Sequence, residues 1–384
     1  APGPSFSAPQ PAKFCGMRAE RIEARGYRNL ADLDLHLPAA GAVFLGPNGQ
    51  GKTNLLELLY YPVLFRSFRG AGDPDLVQWN ASGFFLALAA RAVEDGPRTE
   101  FTAGYLTAGR RKRITVDGVE PTRLGEAIGR WLAVAFLPTD LALVQGPASG
   151  RRQYLDRVLS LAHPAYLRAL TRYRAALLQR NAALRQGRLE TARAFDGPLA
   201  EHGAVLVEQR LGWIAAGAGR YTEECTALGE ADQARMSYRG HDELADPAAW
   251  PAALDASVTR DLQRRATLTG PHRDDLQLQL GGKSLREFGS RGQHRTAAIA
   301  LKLCELGTLS QARATQPVLL LDDIFAELDR PRQERLSARL GEPGVHQVFV
   351  TAPRRDELPP QLDLAVYEVR AGAVTGGAAL AGQR

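Results

Sequence analysis

Eight consecutive residues, Gly46, Pro47, Asn48, Gly49, Gln50, Gly51, Lys52 and Thr53, constrain this chain more than any other stretch. They match G-x-x-x-x-G-K-[ST], in which glycines let backbone N–H groups wrap a phosphate chain that side chains would block. Lys52 is then placed to reach the β- and γ-phosphates, and Thr53 to offer its hydroxyl to Mg²⁺. The loop works only between a strand and a helix, whose N-terminus aims its positive dipole end at the anion. Both flanks are present: apolar AVFL (42–45) before it and the helical pattern NLLELLYYPVLF (54–65) after it. The nucleotide-holding set read here runs from Gly46 through Asn54.

A phosphate loop of this kind needs an acidic partner for the metal. Val318-Leu319-Leu320-Leu321-Asp322-Asp323 supplies one, as an apolar strand ending in two carboxylates. Asp322 suits the Mg²⁺ shell, and Asp323 suits orientation or deprotonation of an attacking water. Lys52 and Asp323 are the catalytic candidates.

Upstream, Phe288-Gly289-Ser290-Arg291-Gly292-Gln293-His294-Arg295-Thr296 opens another helix. Ser290, Gly292 and Gln293 at a helix start offer a hydroxyl, backbone N–H groups and the dipole, a second anion site on one chain. One nucleotide needs one phosphate loop, so a second makes sense if it closes over a nucleotide held by another subunit. The plain alternative is an N-cap by Ser290.

Elsewhere the patterns organise the chain. RIEARGYRNLADLDLHL (21–37), with the residues just before it, alternates like two half-buried strands around a turn, and FFLALAA, RTEFTAGYL and RKRITV read as hairpins ending at Asp117-Gly118. From about Pro147 to Arg220 the period turns helical, with Leu170, Leu177 and Leu184 at heptad spacing. After an Asp196-Gly197-Pro198 break, Leu199, Leu206 and Trp213 repeat it. Two such helices pack as a short antiparallel pair, either a projecting arm or an ordinary helical core. Strand and helix alternation returns after Arg264. The expected fold is α/β: an ATPase head of mixed sheet plus antiparallel β subdomain over 17–146 and 265–384, with a helical lobe inserted at 147–264. Residues 1–16, with four prolines and no apolar core, are expected to be a disordered extension before Met17.

The formal charge of +6 is regional. Residues 147–195 hold ten arginines against two acids, Asp156 and Glu190. Part of this is bias, since only five of the 48 basic residues are lysines, but bias does not remove acids from one stretch. Arginines on a helical lobe suit sequence-tolerant contact with a phosphate backbone, and ordinary solvated helix faces mix signs instead. Arg151, Arg152, Arg168, Arg172, Arg180 and Arg185 are the DNA-contact candidates, with an acidic protein as the other partner such a stretch would suit and with Arg151 and Arg152 alternatively structural or near the nucleotide. No apolar run approaches the roughly 18–20 residues of a bilayer span. Three distant cysteines, Cys15, Cys225 and Cys304, fit neither a zinc site nor a disulfide framework and point to a reducing cytoplasm.

Phosphate loop, helical insertion, Ser-x-Gly-Gln, apolar-Asp-Asp and Glu327-Leu328-Asp329 together resemble an ABC-type ATPase head. More narrowly, GYRNL, GPNGQGKTNLLE, RSFRG, RRQYLD, TGPHRDD (269–275), GSRGQHRTAAIALKL and LLLDDIFAELD resemble the RecF family of bacterial DNA-repair ATPases over nearly the whole chain from Met17. The resemblance implies slow ATP hydrolysis, an ATP-dependent homodimer, DNA binding at single-strand gaps, and work beside RecR and RecO to load RecA in the nucleoid. It also implies that Ser290 and Gly292 approach the γ-phosphate of the opposite subunit, and that Asp329 belongs to the loop between the two sites. Asp323 stands where many ABC relatives have Glu, and Thr351 where they have a switch histidine; Gln145 is the Q-loop candidate.

Two other classes share the phosphate loop. A transporter ATPase places its signature loop closer, whereas about 240 residues intervene here, part of them basic. A chromosome-organising or break-processing ATPase carries far longer heptad runs.

Overall fold

The computed structural model describes residues 16–92, 96–340, 347–360, 362 and 364–377. The expected extension falls almost entirely outside the described residues; within them, Met17 is buried and its N–H donates to the Gln316 carbonyl at 2.8 Å. The chain divides into two compact units, one of 1–120, 315–321 and 338–384, the other of 121–314 and 322–337.

The first unit holds two sheets. The antiparallel one contains β1 (Arg18–Arg25), β2 (Leu33–His36), β4 (Gly83–Arg91), β5 (Arg98–Leu106) and β6 (Arg111–Val116), in the order β2-β1-β4-β5-β6. Its strands alternate as the sequence does: Phe84, Leu86, Leu88, Phe101, Ala103 and Tyr105 are buried, while Phe85 and Leu106 face out. The other sheet runs β14 (Ala373–Gly376), β13 (Ala365–Arg370), β3 (Gly41–Leu45), β12 (Val348–Ala352) and β11 (Val318–Asp322) side by side. β3 pairs parallel with both β12 and β13, which is why Ala42, Val43 and Phe44 are apolar without alternation. α1 (Lys52–Leu64) follows β3, and Leu55, Leu56, Leu58 and Leu59 are all fully buried. Each such leucine contributes about 1.5–3 kcal/mol through removal from water.

The second unit is mainly helical. It contains β7 (Ala133–Phe136), α2 (Ala142–Gln145), α3 (Ala148–Ala162), α4 (Pro164–Arg185), α5 (Leu189–Arg193), α6 (Asp196–Ala227) and α7 (Trp250–Arg264). β8 (Ala234–Arg239), β9 (Asp275–Leu280) and β10 (Lys283–Ser284) form a small antiparallel sheet, and α8 (Leu285–Phe288), α9 (Arg291–Arg313) and α10 (Arg330–Arg339) complete it. The heptad leucines are core: Leu170, Leu184, Leu199, Leu206 and Trp213 are buried, and α4 packs along α6. The pair is thus the helical core of its unit rather than a projecting arm. Asp196-Gly197-Pro198 is the first turn of α6, where proline lacks only an N–H that has no partner there anyway. Gly203 lies against the Trp250 ring, where a Cβ would come within 2.3 Å of its carbons, and Tyr173 meets that ring edge-on at 6.3 Å.

Candidate nucleotide site

The phosphate loop leaves β3 at Leu45 and enters α1 at Lys52. Gly46 (φ 156°) passes so close to β13 that a Cβ would lie 2.2 Å from the Val369 carbonyl oxygen. Gly51 (φ 112°) is the N-cap of α1; a Cβ there would meet Leu30 and Asn29 at 2.9 and 3.0 Å. With no side-chain cap on Gly51 and no acid in the first turn, the positive end of α1 opens into the loop. Lys52 is buried, and its Nζ donates to the carbonyls of Gly46 (2.8 Å) and Pro47 (3.2 Å) and to Asn48 Oδ1 (3.4 Å). Uncapped N–H groups around a buried ammonium are the donor set that a polyphosphate fits. Thr53 is the second residue of α1.

The loop is braced by residues to which the motifs assign no site role, Arg28, Asn29, Glu57 and Ser67, together with Gln50 and Asn54 of its own stretch. Asn29 Nδ2 donates to the Gly49 carbonyl (3.0 Å), and Asn54 Nδ2 donates to Asn29 Oδ1 (2.6 Å). Asn54 therefore holds the loop's support. Gln50 Oε1 accepts the Ala371 N–H (2.6 Å), which ties the β13–β14 turn to the loop. Arg28 grips the fully buried Glu57 of α1 with two bonds, and Ser67 donates its hydroxyl to the same carboxylate. GYRNL, TNLLE and RSFRG thus meet at one place, and that co-occurrence was the signal available in the sequence.

In the second unit Asp322 is buried and Asp323 adopts φ 49°, a left-handed conformation that aspartate tolerates better than most residues. Ser290 caps α9 in a reciprocal box: the Gln293 N–H donates to Ser290 Oγ (3.3 Å) and the Ser290 N–H to Gln293 Oε1 (2.8 Å). The Gln293 side chain is therefore occupied in holding the helix start, while Ser290 stays exposed. Asp329 and its surroundings join this helix. Arg295 donates to the Glu327 carbonyl (2.5 Å), Arg332 pairs with Asp329 (2.7 Å), and Gly292 lies beside Arg332. The Arg332 backbone N–H, then its guanidinium, hold exposed Asp329 below the usual carboxylate range. Gln145 Nε2 lies 2.7 Å from His294 Nδ1, so it supports α9.

The arginine set separates into two groups. Arg180 is 1% exposed and bonds Asp196, Asp261 and Thr267; Arg151 forms a double bond pair with Asp275 and donates to the Leu143 and Gly146 carbonyls. Both are corrected to internal ties: guanidiniums buried against carboxylates are not offered to a phosphate backbone. Arg152 donates to the Asp274 carbonyl and is half-buried. Arg168, Arg172 and Arg185 are exposed. TGPHRDD anchors this network: Arg210 donates to the Pro271 carbonyl and to Asp156, and His272 Nδ1 lies 2.6 Å from the Tyr173 hydroxyl. Burial pushes the Cys225 and Cys304 thiols up to about 12, so neither offers a thiolate nucleophile near neutrality.

No helix among the described residues is long and apolar enough to cross a membrane. No protein-family model matches the chain. The chain is 35% identical over 372 residues to the DNA replication and repair protein RecF of Heliobacterium modesticaldum, covering 94% of this chain and 99% of that one. It is 36% identical over 396 residues to the protein of the same name from Chloroflexus aurantiacus, covering 94% and 100%. Among solved structures, the recombination mediator protein RecF-ATP in the RecFOR pathway superposes with a TM-score of 0.86 at 29% identity, over 96% of this chain and 99% of that one. The Smc head domain of Pyrococcus furiosus shares the ABC-type ATPase fold at a TM-score of 0.57 and 15% identity, covering 95% and 96%. With that fold, and with a third of its residues shared over the full length of such relatives, the chain belongs to the RecF family of DNA replication and repair proteins.

Proposed function

We propose that this chain is an ATP-driven switch of recombinational repair: ATP joins two copies, the dimer holds DNA at single-strand gaps, and slow hydrolysis releases it. The uncapped, lysine-lined N-terminus of α1 carries the reading, because it fits a polyphosphate and little else. The RecF structure named with ATP supports the choice of nucleotide.

In this reading Lys52 leaves its loop carbonyls for the β- and γ-phosphates, and the loop from Gly46 to Gly51, Pro47 excepted, supplies N–H donors. Thr53 and Asp322 would hold Mg²⁺ together with phosphate oxygens, and the ion when bound would neutralise charge on the phosphates; among the described residues no cluster of three or more acidic, His or Cys side chains suits a metal without such help. Asp323 orients the attacking water. Its side chain is shorter than glutamate, in keeping with a slow timer. Ser290 and Gly292 meet the γ-phosphate bound by the opposite copy, with Asp329 between the two sites. In terms of role, 17–146 and 265–384 act as the ATPase lobe and 147–264 as the inserted lobe. Exposed Arg168, Arg172 and Arg185, with Arg152, face the DNA backbone. RecR and RecO are the partners, which the RecFOR pathway named for the ATP-bound relative supports, and RecA is the protein they load, in the cytoplasm at the nucleoid.

Sedimentation with ADP, with ATP, and with ATP plus gapped duplex tests this. A dimer that appears with ATP alone and co-sediments with the gapped duplex is expected. A monomer under saturating ATP would overturn it.

A further inference from the structure

The outer face of the antiparallel sheet combines features that its structural role does not need. In an antiparallel sheet, directly paired residues point to the same side, so the register reads out a surface row by row. One row crosses four strands: Arg25 pairs with Phe85, Phe85 with Gly104, and Gly104 with Arg113. The adjoining row is Gly83, Leu106 and Arg111. Phe85 is 37% exposed and Leu106 53%, while the opposite face buries Phe84 and Tyr105. Gly83 and Gly104 leave the floor of this face without side chains.

At the same end of the sheet stands Trp79, 93% exposed. It lies in a tight turn closed by the Ala81 N–H on the Gln78 carbonyl (3.0 Å), and this turn is bound to the β5–β6 tip through the Thr107 N–H on the Ser82 carbonyl (2.9 Å). The other tryptophans, Trp131, Trp213 and Trp250, are buried. The tip itself reads Ala108-Gly109-Arg110-Arg111-Lys112-Arg113, without an acid. Lys112 turns inward to Asp73 and the Phe65 carbonyl, but Arg110, Arg111 and Arg113 are exposed. The carboxylates that approach are the largely buried Glu23 on exposed Arg25 (2.7 Å) and the exposed Glu120 on Arg113 (3.5 Å). The exposed Arg113–Glu120 pair holds by under about 1 kcal/mol.

We propose that this face binds single-stranded nucleic acid, with Phe85 and Trp79 stacking unpaired bases and Arg25, Arg111 and Arg113 following the phosphates. An exposed aromatic on a strand and another in the adjoining turn, rimmed by arginines, match what a flexible strand with splayed bases presents. A duplex keeps its bases stacked and gives Phe85 nothing to face. A protein partner would favour a contiguous apolar patch, and here glycines and arginines interrupt it. The inference rests on the DNA-binding reading above and adds to it the strand that the exposed side of a gap supplies.

The test uses the full chain with ATP and Mg²⁺, a labelled oligo-dT of about 20 nucleotides and a hairpin duplex of similar length, read by anisotropy and by quenching of the Trp79 emission. Trp79→Ala and Phe85→Ser are each expected to weaken oligo-dT binding about tenfold and duplex binding by less than about twofold. Arg111→Ala with Arg113→Ala should flatten the salt dependence for oligo-dT by about 1.4 log units per log of salt, near 0.7 for each phosphate contact. Unaltered oligo-dT binding in both aromatic variants overturns the proposal, as does equal loss on duplex and oligo-dT. Loss of a protein partner with all DNA binding intact overturns it in favour of a docking face. A wild-type protein that binds duplex but not oligo-dT refutes this face alone, and one that binds neither refutes the DNA-binding reading with it.

Discussion

Arg28 and Glu57 face each other with two parallel hydrogen bonds, Nε to Oε2 at 2.9 Å and Nη2 to Oε1 at 3.0 Å, and the carboxylate is completely buried. The pair joins the turn after β1 to the helix that begins in the phosphate loop. Arg28→Ala would leave the Glu57 carboxylate in the interior without its charged partner. Breaking a buried pair from one side costs about 3–5 kcal/mol. The urea midpoint should fall accordingly. ATP affinity should fall too, because Asn29 next in the chain holds the Gly49 carbonyl. Arg28→Lys keeps the charge but not the fork and should land between the two.

Arg180 and the trio Arg168, Arg172 and Arg185 share α4, yet their substitution should affect different properties. Arg180→Ala removes the partner of Asp261, which is itself fully buried, and should destabilise the protein by about 3–5 kcal/mol. The triple alanine variant should stay within about 1 kcal/mol of wild type, since the three side chains are exposed. Its DNA binding should lose salt dependence by up to about 2.7 log units per log of salt. Denaturation and a salt titration, run on both, separate the roles.

This split shows where sequence reading stops. The phosphate loop, β3, α1 and the three hairpin strands were legible because each is local: a short motif, a run of apolar residues, an alternation with a turn. The heptad leucines of α4 and α6 were legible for the same reason. Arg180 was not, because Asp261 lies 81 residues away and acids so remote do not register in a regional charge count. β8 and α7 were also missed: ARMSYR is too short and mixed to read as a strand, and Trp250 finds its place against Gly203 and Tyr173 on other helices. Asn29 shows the same limit within the site, since its task depends on the fold returning it to the loop.

His272 gives the second unit a pH dependence with a definite sign. Burial holds its imidazole down to about 4, and Nε2 lies 2.9 Å from the Thr267 carbonyl. In the unfolded chain a histidine titrates near 6.5. Between about 4 and 6.5 the unfolded state therefore binds the extra proton, and stability rises with pH. The contribution is full above about 6.5 and is lost as pH falls toward 4, amounting to about 3 kcal/mol at the acid end. His272→Gln should flatten that limb of a stability-against-pH curve measured by urea denaturation, leaving the alkaline side unchanged.

Ser290 has two possible duties, capping α9 and meeting a phosphate from another copy, and one substitution tells them apart. Ser290→Ala removes the cap that accepts from the Gln293 N–H, a loss of about 1 kcal/mol, and would remove a phosphate donor as well. Ser290→Asp keeps a good capping oxygen and suits the positive helix end, so thermal stability should be unchanged or slightly raised. Its carboxylate, however, repels a phosphate. If the exposed start of α9 closes over the γ-phosphate of a second molecule, the aspartate variant binds ATP with wild-type affinity, since the Lys52 loop is untouched, yet stays monomeric in sedimentation with ATP. If Ser290 only caps, Ser290→Asp dimerises like wild type and Ser290→Ala shows a lowered melting temperature and nothing more.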